Sequence, residues 1–320
     1  MGAGKDQMDG RSFQTIKVGE QAFVFDCMIY GGDPGEKQPL LIFHSIEFPM
    51  PPSETFCQTM WDAGLQVIFA RRPGYGATSP LPEVMMTKGP VASGATAIAE
   101  AAMLRALVSK LELKNVILMA VGSSNPICYR LVHMLSELEQ VLFVNPIFNQ
   151  DIMQVFHPAW FREMLKQIVS SRSGLRVAEA GMKLLIKNDP IAYYRTILRK
   201  SPGDMAYVDA HACDYQHAGL IALETNAAML YYDAIMCLTE DPLLKDGYFD
   251  GVKTSILIGK ETTDHWRTEM EKEASRLGLP LHRASVGDIF CAYASPDDVL
   301  AILRDEAMPE SLSARSAAQV

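Results

Sequence analysis

Hydrophobic positions along this chain follow two rhythms. Through the first 150 residues, short unbroken apolar runs alternate with longer stretches in which apolar residues recur at helical spacing. The runs are QAFVFDCMIY (21–30), LLIFHS (40–45), LQVIFARR (65–72), NVILMAVG (115–122) and VLFVNPIF (141–148). Between them, 52–63 and 93–113 carry helical spacing, and 125–138 continues it. A strand that is apolar on consecutive positions leaves neither face for water, so these runs predict a parallel sheet covered by helices on both sides. The segments near Phe13 and Phe23 predict an antiparallel edge hairpin.

From 149 to 219 the strand signal disappears. Aromatic and Met residues recur at helical spacing in MQVFHPAWFREMLKQIV and IAYYRTILRK, which predicts a helical insertion. Alternation then returns, with a helix at 220–238, a strand SILIG (255–259), a helix at 266–277, a strand HRASVG (282–287) and a last helix at 296–304. The predicted organisation is a core in two parts, 1–148 and 220–308, a helical cap at 149–219, and a Ser- and Ala-rich disordered tail at 309–320.

With 320 residues the chain is long enough to bury a sizeable core. Its 29 basic against 38 acidic residues give a net charge of -9, which opposes nucleic-acid phosphates and anionic membranes. A small-molecule ligand or substrate is the partner class that remains. Cys27, Cys57, Cys128, Cys213, Cys237 and Cys291 show no CxxC spacing and read as reduced thiols; the N-terminus MGAGKDQMDG lacks an apolar leader. A soluble cytoplasmic protein is therefore expected. No cluster has metal-ligand spacing, and no GxGxxG or P-loop follows a strand, so neither metal nor cofactor is expected.

The chemistry-bearing stretch is ILMAVGSSNPICYR (117–130), where an apolar run breaks over two serines and resumes as a helix. Four segments in order, LLIFHS, ARRPGYGATSP, AVGSSNP and SILIGKETTDHW with SVGDIF, make residues 12–305 resemble the α/β-hydrolase fold. That resemblance implies an α/β architecture, a mostly parallel central sheet flanked by helices, with the insertion as a cap. It also implies a nucleophile on a strand-to-helix elbow with small residues two positions to either side. Ser124 satisfies this with Gly122 and Pro126, whereas Ser123 would require Val121 and Asn125. The backbone N–H groups of Asn125 and Ile46 would then form an oxyanion hole, with His44, Ser45, Ser123 and His265 around the pocket. For His44 the plainer expectation is a ring hydrogen-bonded to its own loop.

The resemblance places a catalytic histidine after the glycine of SVGDIF, and there Gly287 is followed by Asp288. His282 lies six residues earlier, about 20 Å along a strand, and is out of reach. His265, His211 and His217 remain alternative bases. The position of the family's acid is Thr262, flanked by Glu261 and Asp264, either of which would serve; Asp264 would equally cap the following helix. An aspartate, with an ordinary pKa near 3.9 against about 6.5 for histidine, is a poor base for a serine unless burial raises it. Three readings follow: a ligand-binding protein that has lost Ser-His-Asp hydrolysis, an esterase or lactonase using Ser124 with a non-standard base, and a lyase or isomerase using Asp288.

Overall fold

The computed structural model describes residues 11–19, 23–46, 48–81, 92–147, 171–225 and 244–306. Eight strands, β1 (Phe13–Val18), β2 (Phe23–Ile29), β3 (Gln38–Phe43), β4 (Leu65–Ala70), β5 (Val116–Val121), β6 (Leu138–Val144), β7 (Lys253–Ile258) and β8 (Leu281–Arg283), form one sheet. Their order across it is β1-β2-β4-β3-β5-β6-β7-β8. The expected hairpin is present: β1 pairs antiparallel with β2, and β2 antiparallel with β4. All the remaining pairs are parallel.

Each parallel step needs a crossover, and helices supply it. Helices α1 (Glu54–Asp62), α2 (Ala92–Lys110) and α3 (Asn125–Leu131) connect β3 through β6 in turn. Between β6 and β7 stand α4 (Arg172–Asn188), α5 (Pro190–Leu198), α6 (Pro202–Ala210) and α7 (Ala212–Glu224). Helix α8 (Asp264–Leu277) joins β7 to β8, and α9 (Cys291–Ala294) and α10 (Pro296–Leu303) follow the sheet. Side chains alternate between two buried layers: Leu41, Phe43 and Leu118 enter one, while Leu40, Ile42 and Met119 enter the other.

Sequence and structure differ at several element ends. Helix α3 stops at Leu131, well short of 138, because Leu138 must start β6 alongside Val116 of β5; strand pairing overrides the apolar spacing. Strand β8 is three residues long, since the Ser285 N–H is drawn to Asp298 Oδ2 at 2.6 Å and the chain leaves the sheet. Helix α7 runs through the expected cap boundary at 219 and ends at Glu224, so the separate helix expected from 220 does not begin there. The rest of that expected helix, residues 149–170 of the insertion, Phe148, Cys237 and the tail at 309–320 lie outside the described residues.

Cys27, Cys57, Cys128 and Cys291 are buried free thiols, whereas Cys213 is exposed. Among the described residues no helix is long and apolar enough to cross a membrane.

Candidate functional site

The elbow lies between β5 and α3. Strand β5 ends at Val121, Gly122–Ser124 form a single tight turn, and α3 begins at Asn125. In such an elbow the strained residue is the one whose side chain stands clear at the top of the sheet. Here that residue is Gly122, at φ 53°. Ser124 has ordinary helical angles, φ -78° and ψ -15°. Its hydroxyl is fully buried and turned back on the strand ends, accepting from Val121 N at 2.9 Å and facing the carbonyls of Val121 at 2.9 Å and Phe43 at 3.2 Å. Small residues flank Gly122 at two positions on either side, Ala120 and Ser124, a register the sequence also contains and one that avoids the awkward Pro126.

Both N–H groups expected to form the oxyanion hole have acceptors within the protein. Asn125 N–H bonds Gly122 O. Ile46 N–H is given to Ser123 Oγ at 2.7 Å, and the same oxygen receives Arg72 Nη1 at 3.3 Å and lies 3.3 Å from Ser45 Oγ. The Ser45 hydroxyl also takes the Ser123 N–H at 3.4 Å. A Cβ placed on Gly122 would approach Ser45 Oγ to 2.9 Å, so Ser45 borders the space a nucleophile's side chain would need. Beneath the turn, Arg72 is fixed by the fully buried Glu100 at 2.8 and 3.3 Å.

His44 behaves as its plainer expectation holds. Nδ1 meets Ser45 O at 2.8 Å and Nε2 accepts Arg72 N–H at 3.0 Å, which fixes the proton on Nδ1. Burial, reinforced by the Arg72 charge, holds its pKa well below the ordinary range, so the ring is neutral.

On the far side of β7 the chain after β8 turns at Gly287, φ 74°, and presents Asp288. Thr262 donates its hydroxyl to Asp288 Oδ1 at 2.7 Å, and Asn145 Nδ2 donates to the Asp288 carbonyl at 2.6 Å. Burial pushes the Asp288 carboxyl up to about 6; the Thr262 hydrogen bond works against this and the nearby charges of Asp204 and Glu261 add to it. Glu261 faces the start of α6, accepting from Ser201 Oγ and from Gly203 N at 2.9 Å. Asp264 points to solvent and pairs with Arg267 at 2.7 Å, while the cap of α8 is Thr263, whose hydroxyl accepts Trp266 N–H at 3.4 Å.

The structure therefore gathers Thr262, Glu261 and Asp288 at one locus and Ser45, Ile46, Ser123 and Arg72 at another. Among the described residues, no hydrogen bond joins Asp288, or any histidine ring, to Ser123 or Ser124. His265 sits half-buried in the first turn of α8, and His211 Nδ1 meets Tyr207 O at 2.8 Å at the end of α6. His282 pairs with Leu257 in the sheet, and burial lowers its pKa. The three carboxylates Asp204, Glu261 and Asp288 spend oxygens on amides and hydroxyls, and no group of three potential metal ligands occurs among the described residues.

The helices between β6 and β7 meet the core through aromatic rings. Phe48 packs on Tyr194 at 5.6 Å and on Phe290 at 4.7 Å, and Tyr215 packs on Phe290 at 5.2 Å. A separate open cleft of about 870 Å³ lies at the other end of the strands, bordered by Lys37, Gln38, Lys110, Lys114 and Glu139. Ligands of open α/β sheets bind at the carboxyl ends of the strands, and this mixed-charge cleft is at the opposite end. Asp204, Asn145 and Glu100 carried no signal in the sequence, because nothing about an isolated acid or amide says which loop it will meet.

No family model matches the chain, and no curated relative matches it. Solved structures do resemble it. The Cif epoxide hydrolase from Acinetobacter nosocomialis matches at TM-score 0.65 and 13% identity, over 93% of this chain and 89% of that one. A bromoperoxidase from Bacillus anthracis matches at TM-score 0.58 and 16% identity, over 92% and 100%. The enol-lactonase from Burkholderia xenovorans LB400 matches at TM-score 0.59 and 12% identity, over 91% and 100%. The chain has the α/β-hydrolase fold. At these identities the likeness extends to the fold alone.

Proposed function

We propose that this chain binds a small organic molecule beneath its helical cap and does not perform Ser-His-Asp hydrolysis. One observation carries the reading: the left-handed elbow residue is Gly122, and the neighbouring Ser123 hydroxyl accepts the Ile46 N–H at 2.7 Å. A serine nucleophile needs an adjacent base and a free donor pair for its oxyanion. Ser124 has neither, and an ionised Asp288 would oppose the negative charge that acyl transfer develops. The buried free thiols support a reducing compartment, the cytoplasm.

A fluorophosphonate probe tests this. The wild-type chain is expected to remain unlabelled, with ester turnover unchanged by Ser124→Ala or Ser123→Ala. Labelling that disappears in Ser124→Ala would instead support an esterase or lactonase working with His265, His211 or His217.

A second reading is favoured by Asp288 itself. A carboxyl whose pKa stands at about 6 exchanges protons near neutrality, as a lyase or isomerase requires. Deuterium incorporation into a panel of small carbonyl compounds, followed by NMR for wild type and Asp288→Asn, separates the two: exchange that depends on Asp288 supports proton transfer, and its absence leaves binding alone.

A further inference from the structure

Helix α6 of the cap meets the β8–α9 loop through a carboxylate. Asp204 is fully buried; its Oδ1 accepts from Asp288 N at 3.0 Å and Phe290 N at 3.1 Å, and its Oδ2 from Ile289 N at 2.8 Å. The exchange is reciprocal. Glu261 of the β7–α8 turn accepts from Ser201 Oγ and Gly203 N, at the start of α6, so a core carboxylate caps the cap helix while a cap carboxylate gathers the core loop.

Glycines make this approach possible. A Cβ on Gly203 would lie 2.6 Å from Gly287 N, and one on Gly259 would lie 2.2 Å from Gly287 O. Backbone touches backbone on both sides of the turn that carries Asp288. Between Arg283, the end of β8, and Cys291, the start of α9, the loop has no ladder of its own, and its three consecutive amides at 288–290 point at the cap carboxylate.

We propose that Asp204 is a positioning residue: from the cap it holds the loop bearing Asp288, so that docking of α6 fixes where the Asp288 carboxyl stands and whether it is ionised. This rests on the second reading above, in which Asp288 is the working group of the site. The titratable groups facing Asp288 are Asp204 on α6, Glu261 on the β7–α8 turn and the Cys291 thiol on α9. All three are acidic, and Thr262 supplies the hydroxyl that opposes them. When α6 lifts, the three amides lose their acceptor and Asp288 loses a like charge and gains water. Each change favours its ionised form. By linkage, ionising Asp288 favours the lifted cap.

The test needs no ligand and so stands apart from the binding and hydrolysis assays. Aspartate side chains labelled with carbon-13 at the carboxyl report the Asp288 midpoint directly, assigned by its disappearance in Asp288→Asn. Asp204→Asn keeps the size, removes the charge and turns one of the two accepting oxygens into an NH2 donor, which loosens the hold on the 288–290 amides; the Asp288 midpoint is expected to fall by about one unit. A folded Asp204→Asn protein with an unchanged midpoint overturns the proposal, because a residue of purely structural importance would alter melting and leave that titration in place. Should Asp204→Asn fail to fold, hydrogen exchange on the wild-type chain decides. The amides of 288–290 and those of α6 are expected to open together, faster at pH 8 than at pH 5 after correction for intrinsic exchange. Independent opening of the two segments overturns the proposal.

Discussion

Thr262 donates its hydroxyl to Asp288 Oδ1 at 2.7 Å, joining the turn after β7 to the loop after β8. Under the function proposed above, a neutral donor takes the place of the carboxylate that would orient an imidazole, and an acid takes the place of the imidazole. The elbow is altered in a matching way, with a glycine at the strained position and the adjacent serine engaged by Ile46 and Arg72.

The raised pKa of Asp288 has a definite sign for stability. A carboxyl whose folded pKa lies above its unfolded value favours the folded state below the ordinary carboxylate range, and that contribution is lost as pH rises through about 6. At pH 8 the ionised group costs on the order of 3 kcal/mol. Asp288→Asn, which can still accept from Thr262, is expected to raise the melting temperature at pH 8 and to leave it nearly unchanged at pH 4. Equal effects at both values in thermal melts would contradict the buried, repelled carboxyl.

Ser124→Ala removes a hydroxyl that serves Val121 and Phe43, and is expected to cost about 1–2 kcal/mol in urea unfolding with no change in any ester-hydrolysis background. Ser123→Ala removes the oxygen that accepts the Ile46 N–H and Arg72 Nη1, at a cost of about 1–3 kcal/mol. Loss of a measurable activity in Ser124→Ala, with stability intact, is the outcome that would return this serine to the chemistry.

Glu100→Gln removes the carboxylate charge that pairs with the Arg72 guanidinium, which is 1% exposed at its side chain. The expected destabilisation is about 3–5 kcal/mol, measured by denaturant unfolding. A value under 1 kcal/mol would mean that the guanidinium finds water or another acceptor.

Asp288→His alone is expected to create no esterase, since Ser124 faces the strand ends. Restoring chemistry requires Gly122→Ser, with Ser45→Gly to clear the 2.9 Å approach, together with Thr262→Asp and Asp288→His. Fluorophosphonate labelling of this combination, and none of Asp288→His, is the expected pattern. Labelling of the single variant would move the nucleophile back to Ser124.

The sequence by itself determined the sheet and the positions along it. Unbroken runs such as VILMAV are buried on both faces of any fold that accepts them, and the order of runs and turns resembles the α/β-hydrolase fold; that resemblance is what singled out Asp288 after Gly287 and Thr262 after β7. Only the tertiary structure decided the register of the elbow. AVGSSNP accommodates a strained residue at 122 or at 124, and the choice depends on Ser45 and Ile46, 78 and 77 residues from Ser123, which receive its backbone and side chain. The ionisation of Asp288 was likewise undetermined, because it follows from burial and from Asp204, which local spacing does not bring near and the docked cap does. Periodicity records which face of an element is dry. It carries no information about which loops from distant elements share a dry space, and that sharing sets hydrogen-bond partners and proton affinities.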